Sequence, residues 1–137
     1  MIAHANGRSY GDCALHDQVL LVKGLNRMLA FDEQTGLLTC EAGVTLSDII
    51  TVFLPRGWFL SITPGTKHIT VGGAVASDVH GKNHHVAGCF SACVQSLDIM
   101  IAAGTMITCS PDINTPLFRA TCGGMGLTGV ITRVTLK

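Results

Sequence analysis

Residues 63–85 read TPGTKHITVGGAVASDVHGKNHH, a stretch that concentrates side chains suited to chemistry. It ends with three imidazoles within six residues, at His80, His84 and His85. Imidazole nitrogens bind metals and exchange protons near neutral pH. The glycines before them let backbone amides approach a phosphate or a flat ring. A metal ion, a phosphate group and a flavin are therefore the candidate ligands.

The metal is the least supported of these ligands. Cys89 and Cys93 follow the histidines with CxxxC spacing, but a tetrahedral zinc site needs a second, equally tight pair. Cysteines scattered through apolar segments of a chain without an export signal favour free, mostly buried thiols over disulfides. We therefore expect no metal site and six reduced thiols. The six are Cys13, Cys40, Cys89, Cys93, Cys109 and Cys122.

Composition limits the class of protein. The chain has 137 residues, of which 47% are hydrophobic and 13% charged, which predicts one compact domain over 1–137. The formal net charge is zero, so no broad field favours nucleic acid. Apolar runs stay well below the roughly 20 residues of a membrane span, and the first residues lack the pattern of a signal peptide. We expect a cytoplasmic protein with no membrane span.

Hydrophobic periodicity predicts an α+β fold in which strands outnumber helices. Residues 28–32 and 37–42 read as a hairpin, because the turn between them ends in glycine. Thr45 with Asp48 forms a capping pattern ahead of an apolar helical repeat. The other predicted elements are the helix itself over 46–54, a short buried strand over 19–22, and strands over 58–62, 94–102, 106–109 and 130–136.

Glycine is the other compositional signal. Sixteen glycines exceed the roughly 7% average, and they cluster in residues 6–11, 64–74 and 122–129. Three clusters in one small domain favour several backbone segments converging on one ligand, with tight α+β packing as the alternative. The cluster at 6–11 lacks the GxGxxG spacing of a Rossmann loop, and no Gly-Lys-Ser/Thr sequence of a Walker loop is present in the chain.

Taken together, the clusters resemble the FAD-binding domain of the vanillyl-alcohol-oxidase-like (PCMH-type) FAD-linked oxidases, most closely the decaprenylphosphoryl-ribose oxidase branch. The resemblance implies a mixed or antiparallel sheet flanked by helices, mainly the second subdomain of that domain, and FAD-dependent oxidation of a sugar CH–OH group. The motifs that carry it run in the family's order over nearly the whole chain: GRSYGD, LNRML, EAGV, PRGWF, TPGT, TVGGAVASDVHGKNHH, SLD and GGMGLTGVI.

The resemblance also implies the cofactor-binding residues. A pyrophosphate loop would present backbone amides and the Ser9 hydroxyl to the phosphates, and it comprises Gly7, Arg8, Ser9 and Tyr10. The segment under the cofactor and toward the isoalloxazine ring comprises Gly65, Thr66, Thr70, Gly72, Gly73, Ser77, Asp78, Val79 and His80. The adenine or ribitol portion would lie against Gly129, Val130 and Ile131.

Arg8 occupies the position where several relatives carry the histidine that bonds covalently to the flavin. A guanidinium is not a nucleophile at neutral pH, so we expect non-covalent FAD. The resemblance points to no catalytic residue within this chain, because the family's catalytic lysine lies in a separate substrate domain.

Family members are several hundred residues long and clamp FAD between two subdomains. We therefore expect a truncated, FAD-binding portion that binds FAD weakly or not at all, that is not catalytic alone, and that needs a partner chain or forms a homodimer. The alternatives are a stand-alone flavin- or nucleotide-binding module, and a non-catalytic remnant that folds as an oligomer without binding anything.

Overall fold

The computed structural model describes residues 1–137 and contains seven strands and four α-helices. The α+β prediction, with strands outnumbering helices, is confirmed. The strands are β1 (Ile2–His4), β2 (Val19–Leu21), β3 (Met28–Asp32), β4 (Leu37–Glu41), β5 (Val94–Met100), β6 (Met106–Cys109) and β7 (Val130–Leu136). The helices are α1 (Leu46–Phe53), α2 (Val71–Ala76), α3 (His84–Ala87) and α4 (Thr115–Thr121), with short 3₁₀ turns at Leu54–Arg56 and Phe90–Cys93.

Five strands form one antiparallel sheet in the order β3-β4-β7-β5-β6. The last strand, β7, lies at its centre, where Leu136 pairs with Leu38 of β4 and Val134 pairs with Leu97 of β5. The predicted hairpin β3-β4 is confirmed, as are the strands β5 and β6, which pair with each other, and the final strand. A separate two-stranded sheet joins β1 and β2 in parallel.

The two faces of the large sheet differ in character. One face carries fully buried apolar side chains and meets the helices, as at Phe53 of α1, whose ring centroid lies 4.5 Å from that of Phe31. The other face is polar: the Thr39 and Thr135 hydroxyls are 3.0 Å apart, and Asp98 accepts a 2.7 Å hydrogen bond from Thr108. The sheet therefore has a dry inner face and a hydrated outer one.

Helix α1 begins as the sequence predicts. The Thr45 hydroxyl accepts a hydrogen bond from the Asp48 amide at 3.1 Å, and the Asp48 carboxylate accepts one from the Thr45 amide at 3.0 Å. This capping box satisfies two amides that the first turn leaves unpaired. The helix ends at Phe53, one residue before the predicted end, and the chain then reverses through a 3₁₀ turn into Gly57 at φ +83°.

Two strand predictions need correction. Residues 58–62 form no strand; Trp58 instead packs edge-on against Phe31, with centroids 5.3 Å apart, and Ile62 is buried in the core. Tertiary packing, rather than a ladder, accounts for their apolar pattern. The strand at 19–22 exists as β2, but it is not buried, because no layer covers the two-stranded sheet and Leu21 is 68% exposed.

Alanine substitutions at two glycines test the hairpin contact with Trp58. At Gly36, φ is +73° and a Cβ would lie 2.7 Å from the Trp58 ring, whereas at Gly57, φ is +83° and nothing lies within 4 Å. Left-handed backbone costs alanine about 1–2 kcal/mol at either position. Overpacking should cost Gly36→Ala at least about 1 kcal/mol more. Urea unfolding measures both, and equal losses would show that the tryptophan contact contributes nothing.

Candidate functional site

A cleft of about 130 Å³, open to solvent, lies where the three glycine-rich segments meet. One wall is the loop after β1, a second is α2 with the residues before it, and the third is the segment that leads into β7. The cleft therefore brings together parts of the chain more than 100 residues apart. The predicted site residues that line it are Gly7, Arg8, Ser9, Thr70, Gly72, Gly73, Ser77, Val79, Gly129 and Ile131.

The loop over residues 5–14 has an unusual backbone. None of its amides donates a hydrogen bond to a protein acceptor, and Gly7 and Gly11 both adopt φ +59°. Arg8 lies in this loop, is exposed and forms no ion pair. Consecutive unpaired amides beside a guanidinium form a concave site for an anion, and this site owes nothing to the net charge of the chain.

A few side-chain contacts hold this loop in place. The His4 ring donates through Nδ1 to the Ala14 carbonyl at 2.9 Å, because a carbonyl can only accept. The Asn6 Nδ2 group donates to the His68 carbonyl at 3.0 Å, which links the loop to the segment before α2. The loop is thus closed from within at His4 and anchored to its neighbour at Asn6.

Helix α2 contributes shape rather than donors. The Gly72 amide donates to the Ala42 carbonyl at 2.8 Å, and the Gly73 amide donates to the Thr70 hydroxyl at 3.2 Å. These two amides are therefore paired within the protein, and the role of Gly72 and Gly73 under the cofactor stays a prediction. A Cβ at Gly72 would lie 2.9 Å from that of Ala42, so this glycine allows α2 to pack closely on the end of β4.

Six predicted site residues lie outside the cleft wall: Tyr10, Gly65, Thr66, Asp78, His80 and Val130. The Tyr10 side chain is 95% exposed. The Asp78 carboxylate accepts hydrogen bonds from the Ser91 amide at 2.8 Å and from the Ser91 hydroxyl at 3.1 Å, so it ties the chain together rather than facing the cleft. A role for these six residues in cofactor binding stays a prediction.

Residues 80–89, which we call the histidine loop, leave the rest of the fold and return to it at one place. Val79 accepts a hydrogen bond from the Phe90 amide at 2.8 Å, and His80 bridges to Cys89. The exposed His80 ring lies 5.0 Å from the His84 ring, but nowhere do three His, Cys, Asp or Glu side chains converge as metal ligands would. This loop directly follows Val79, a residue of the cleft wall.

Sequence reasoning missed part of the lining. Five of these residues are alanines, whose short side chains leave room in the cleft, and they come from several elements that only the tertiary fold brings near the glycines. Asn6 and Gly126 lie within clusters that the sequence had marked, so their position was the available signal. The missed residues are Ala3, Ala5, Asn6, Cys13, Ala14, Val22, Ala42, Ile69, Ala76, Met125 and Gly126.

The six cysteines are unpaired in the structure. Cys40, Cys93 and Cys109 are buried, and burial raises the pKa of Cys40 to about 12 and that of Cys93 to about 11. Burial, assisted by the negative charge of Asp78, raises the pKa of Cys122 to about 12. No helix has the length and apolar character needed to cross a membrane.

The fold and the cleft define a domain that binds a nucleotide cofactor. Comparison with known proteins identifies the family of this domain and the cofactor. Residues 1–110 match the FAD binding domain family. The whole chain is 42% identical to decaprenylphosphoryl-beta-D-ribose oxidase of Mycolicibacterium smegmatis and covers 30% of it. Identity to L-gulonolactone oxidase of Mus musculus is 34%, over 96% of this chain and 30% of that protein. Identity to D-arabinono-1,4-lactone oxidase of Yarrowia lipolytica is 32%, over 82% of this chain and 22% of that protein.

The chain belongs to the FAD-binding domain family of the FAD-linked oxidases, and FAD is its cofactor. It spans about three tenths, or less, of the length of the curated relatives it matches.

The cleft residues fit FAD on three counts. The free amides of the 5–14 loop, with Arg8, match a pyrophosphate. Ile69, Val79 and Ile131 give the wall an apolar surface for a ring. The Asn6 Oδ1 atom is buried without a hydrogen-bond partner, so the wall holds an acceptor that a ligand donor would satisfy.

Thiol modification tests the exposure of the cleft. Cys13 is exposed, so it should react first with a thiol reagent near pH 8, whereas the raised pKa values keep Cys40, Cys93 and Cys122 protonated. Denatured protein should release six equivalents, and Cys13→Ser should lose the fastest phase. Retention of that phase in the variant, or fewer than six thiols after denaturation, would contradict this assignment.

Proposed function

We propose that this chain is the FAD-binding portion of an FAD-dependent oxidoreductase that acts on the CH–OH group of a sugar. The relatives named above are oxidases of a ribose derivative and of two sugar lactones, all of which are polyhydroxylated substrates. The structural support is a cleft whose walls suit both the charged and the apolar parts of a dinucleotide.

The loop over residues 5–14 carries the proposal. Its unpaired amides bind the two phosphates of FAD, and the positive φ of Gly7 turns the backbone toward them. Arg8 adds a charge-assisted contact, and the Ser9 hydroxyl adds a donor. Arg8 cannot form a bond to the flavin, so FAD is held non-covalently and reversibly.

When bound, FAD supplies the two-electron acceptor for oxidation of an alcohol to a carbonyl. The chain's own residues hold and shield it. Val79 and Ile131 give one side of the cleft an apolar surface, and the bare backbone of Gly126, with nothing within 4 Å of where a Cβ would lie, leaves room for the ligand. Ser77 extends this wall toward His80, which lies at the end proposed for the flavin ring.

Turnover is proposed for a protein of the relatives' length, in which this chain is one portion. Two alternatives differ from this proposal in whether the chain binds FAD and whether it takes part in sugar oxidation. A stand-alone flavin-binding module would bind FAD without oxidising any sugar, and a non-binding remnant would not bind FAD at all.

Titration of FAD against purified protein, followed by the change in visible flavin absorption, tests the site. Arg8→Gln should weaken binding about 10–100-fold, because hydrogen bonds to charged groups contribute about 1.5–3 kcal/mol. Arg56→Gln is the matched control, because the Arg56 guanidinium lies 5.8 Å from the Phe53 ring centroid and outside the cleft. Equal affinity for both variants would remove Arg8 from the site, and flavin that stays with the protein after acid or heat precipitation would disprove non-covalent binding.

The proposal extends to a partner that covers the two-stranded sheet. Two isolated strands are marginally stable, and β1-β2 leaves Leu15, Val19 and Leu21 exposed beside the cofactor loop. We favour a second copy of this chain, with a separate partner chain as the alternative. Six free thiols suit a reducing compartment, which supports a cytoplasmic location.

Light scattering after gel filtration tests the second copy. The wild-type protein should have twice the chain mass. Leu21→Glu should shift it to the monomer, because a carboxylate is costly to bury in an apolar interface. Ile113→Glu, at a position 58% exposed in the loop before α4, should leave the mass unchanged. A wild-type monomer would rule out the homodimer and leave the separate partner chain.

A further inference from the structure

We propose that Asn6 recognises the cofactor through a hydroxyl group, accepting a hydrogen bond at Oδ1 from the ribityl or ribose chain next to the pyrophosphate. This inference rests on the proposed function, because it takes FAD as the ligand of the cleft. It adds a binding contact made by a side chain that precedes the phosphate loop itself.

The starting observation is an unmatched acceptor. Asn6 Oδ1 is the only buried side-chain nitrogen or oxygen in the structure that lacks a hydrogen-bond partner. A buried acceptor without a partner costs about 1–3 kcal/mol, and such atoms are few in folded proteins. Because Asn6 lines the cleft, the missing partner can come from the ligand.

The orientation of the Asn6 amide follows from its other end. Nδ2 lies 3.0 Å from the His68 carbonyl oxygen, and only an N–H group can donate there. Exchanging the two ends would set two acceptors against each other. The unpartnered atom is therefore the oxygen, and its partner must be a donor.

Because Asn6 Oδ1 needs a hydrogen-bond donor, its partner in FAD cannot be a phosphate and must be a group next to the phosphates. The diester pyrophosphate of FAD is fully ionised near neutral pH and offers only acceptor oxygens, so it binds the amides and Arg8 rather than Asn6 Oδ1. The atoms on either side of the FAD pyrophosphate belong to the ribityl and ribose chains, which carry hydroxyl donors. Asn6 precedes Gly7 directly, so its side chain lies at this boundary.

Oδ1 is closed to water in the structure, and the loop that carries it is held by side-chain contacts at His4 and Asn6 rather than by hydrogen bonds from its own amides. The amides of residues 5–14 make no hydrogen bonds within the protein. A small shift of this loop on cofactor binding would expose Oδ1 to a hydroxyl without breaking any backbone hydrogen bond. The same event that fills the anion site would satisfy the buried acceptor.

Asn6→Leu, which keeps the approximate shape and removes the acceptor, tests this assignment. FAD affinity should fall about tenfold, whereas affinity for inorganic pyrophosphate should change less than about twofold. The urea midpoint of the cofactor-free variant should stay close to that of the wild type, because removal of the unsatisfied acceptor offsets the loss of the hydrogen bond to the His68 carbonyl. Lower affinity together with undiminished stability is a result that a purely structural role would not give.

Asn83→Leu is the matched control, because Asn83 Nδ2 also donates to a distant carbonyl, that of Ser61 at 3.1 Å, and lies outside the cleft. It should lose stability and keep its affinity for FAD. If Asn6→Leu behaves in the same way, Asn6 only ties the loop and the inference fails. Asn6→Ala, with the same expected loss of affinity, serves if the leucine variant does not fold. Wild-type protein that binds no FAD would overturn the proposed function itself, which separates the two failures.

Discussion

The close packing of backbone around the end of β4 is the constraint on which the rest of the structure depends. A Cβ at Gly43 would lie 2.6 Å from the Leu25 carbonyl oxygen, so no side chain is tolerated there. The Ala42 amide donates to the Thr132 carbonyl at 3.0 Å, and the Ala42 carbonyl accepts from Gly72 at 2.8 Å. One strand end thus holds the segment after β2, the central strand and α2 together, and with them the walls of the cleft.

An ion pair secures the outer side of this junction. The largely buried Glu41 side chain accepts hydrogen bonds from the Arg27 backbone amide and from its guanidinium, both at 2.8 Å. These hydrogen bonds hold the pKa of the Glu41 carboxyl below its ordinary value. Arg27 is largely exposed, so solvent screening limits what the charges contribute, and the paired backbone sets the position of the strand.

Local signals predicted the elements, and the tertiary fold decided the rest. The turn of the first hairpin and the capping box at Thr45 depend only on residues that are close in the sequence, so both could be predicted from it. Residues 58–62 have the pattern of a strand, but contact with Phe31 determines their path. The glycine clusters do converge, yet the hydrogen bond that occupies the Gly72 amide comes from Ala42, thirty residues earlier, and no local pattern reveals it.

The closure of the histidine loop has a consequence for how this protein can vary. The chain leaves the cleft wall at Val79 and returns at Phe90 through adjacent contacts, with Asp78 and Ser91 paired just beyond them. The exposed side chains of Lys82, His85 and Val86 make no hydrogen bond and can therefore change without disturbing the residues that anchor this segment, which are Gly81, Asn83 and Ala87. Substitutions at these exposed positions can in this way alter what approaches the cleft while the anchoring residues keep the path of the chain unchanged.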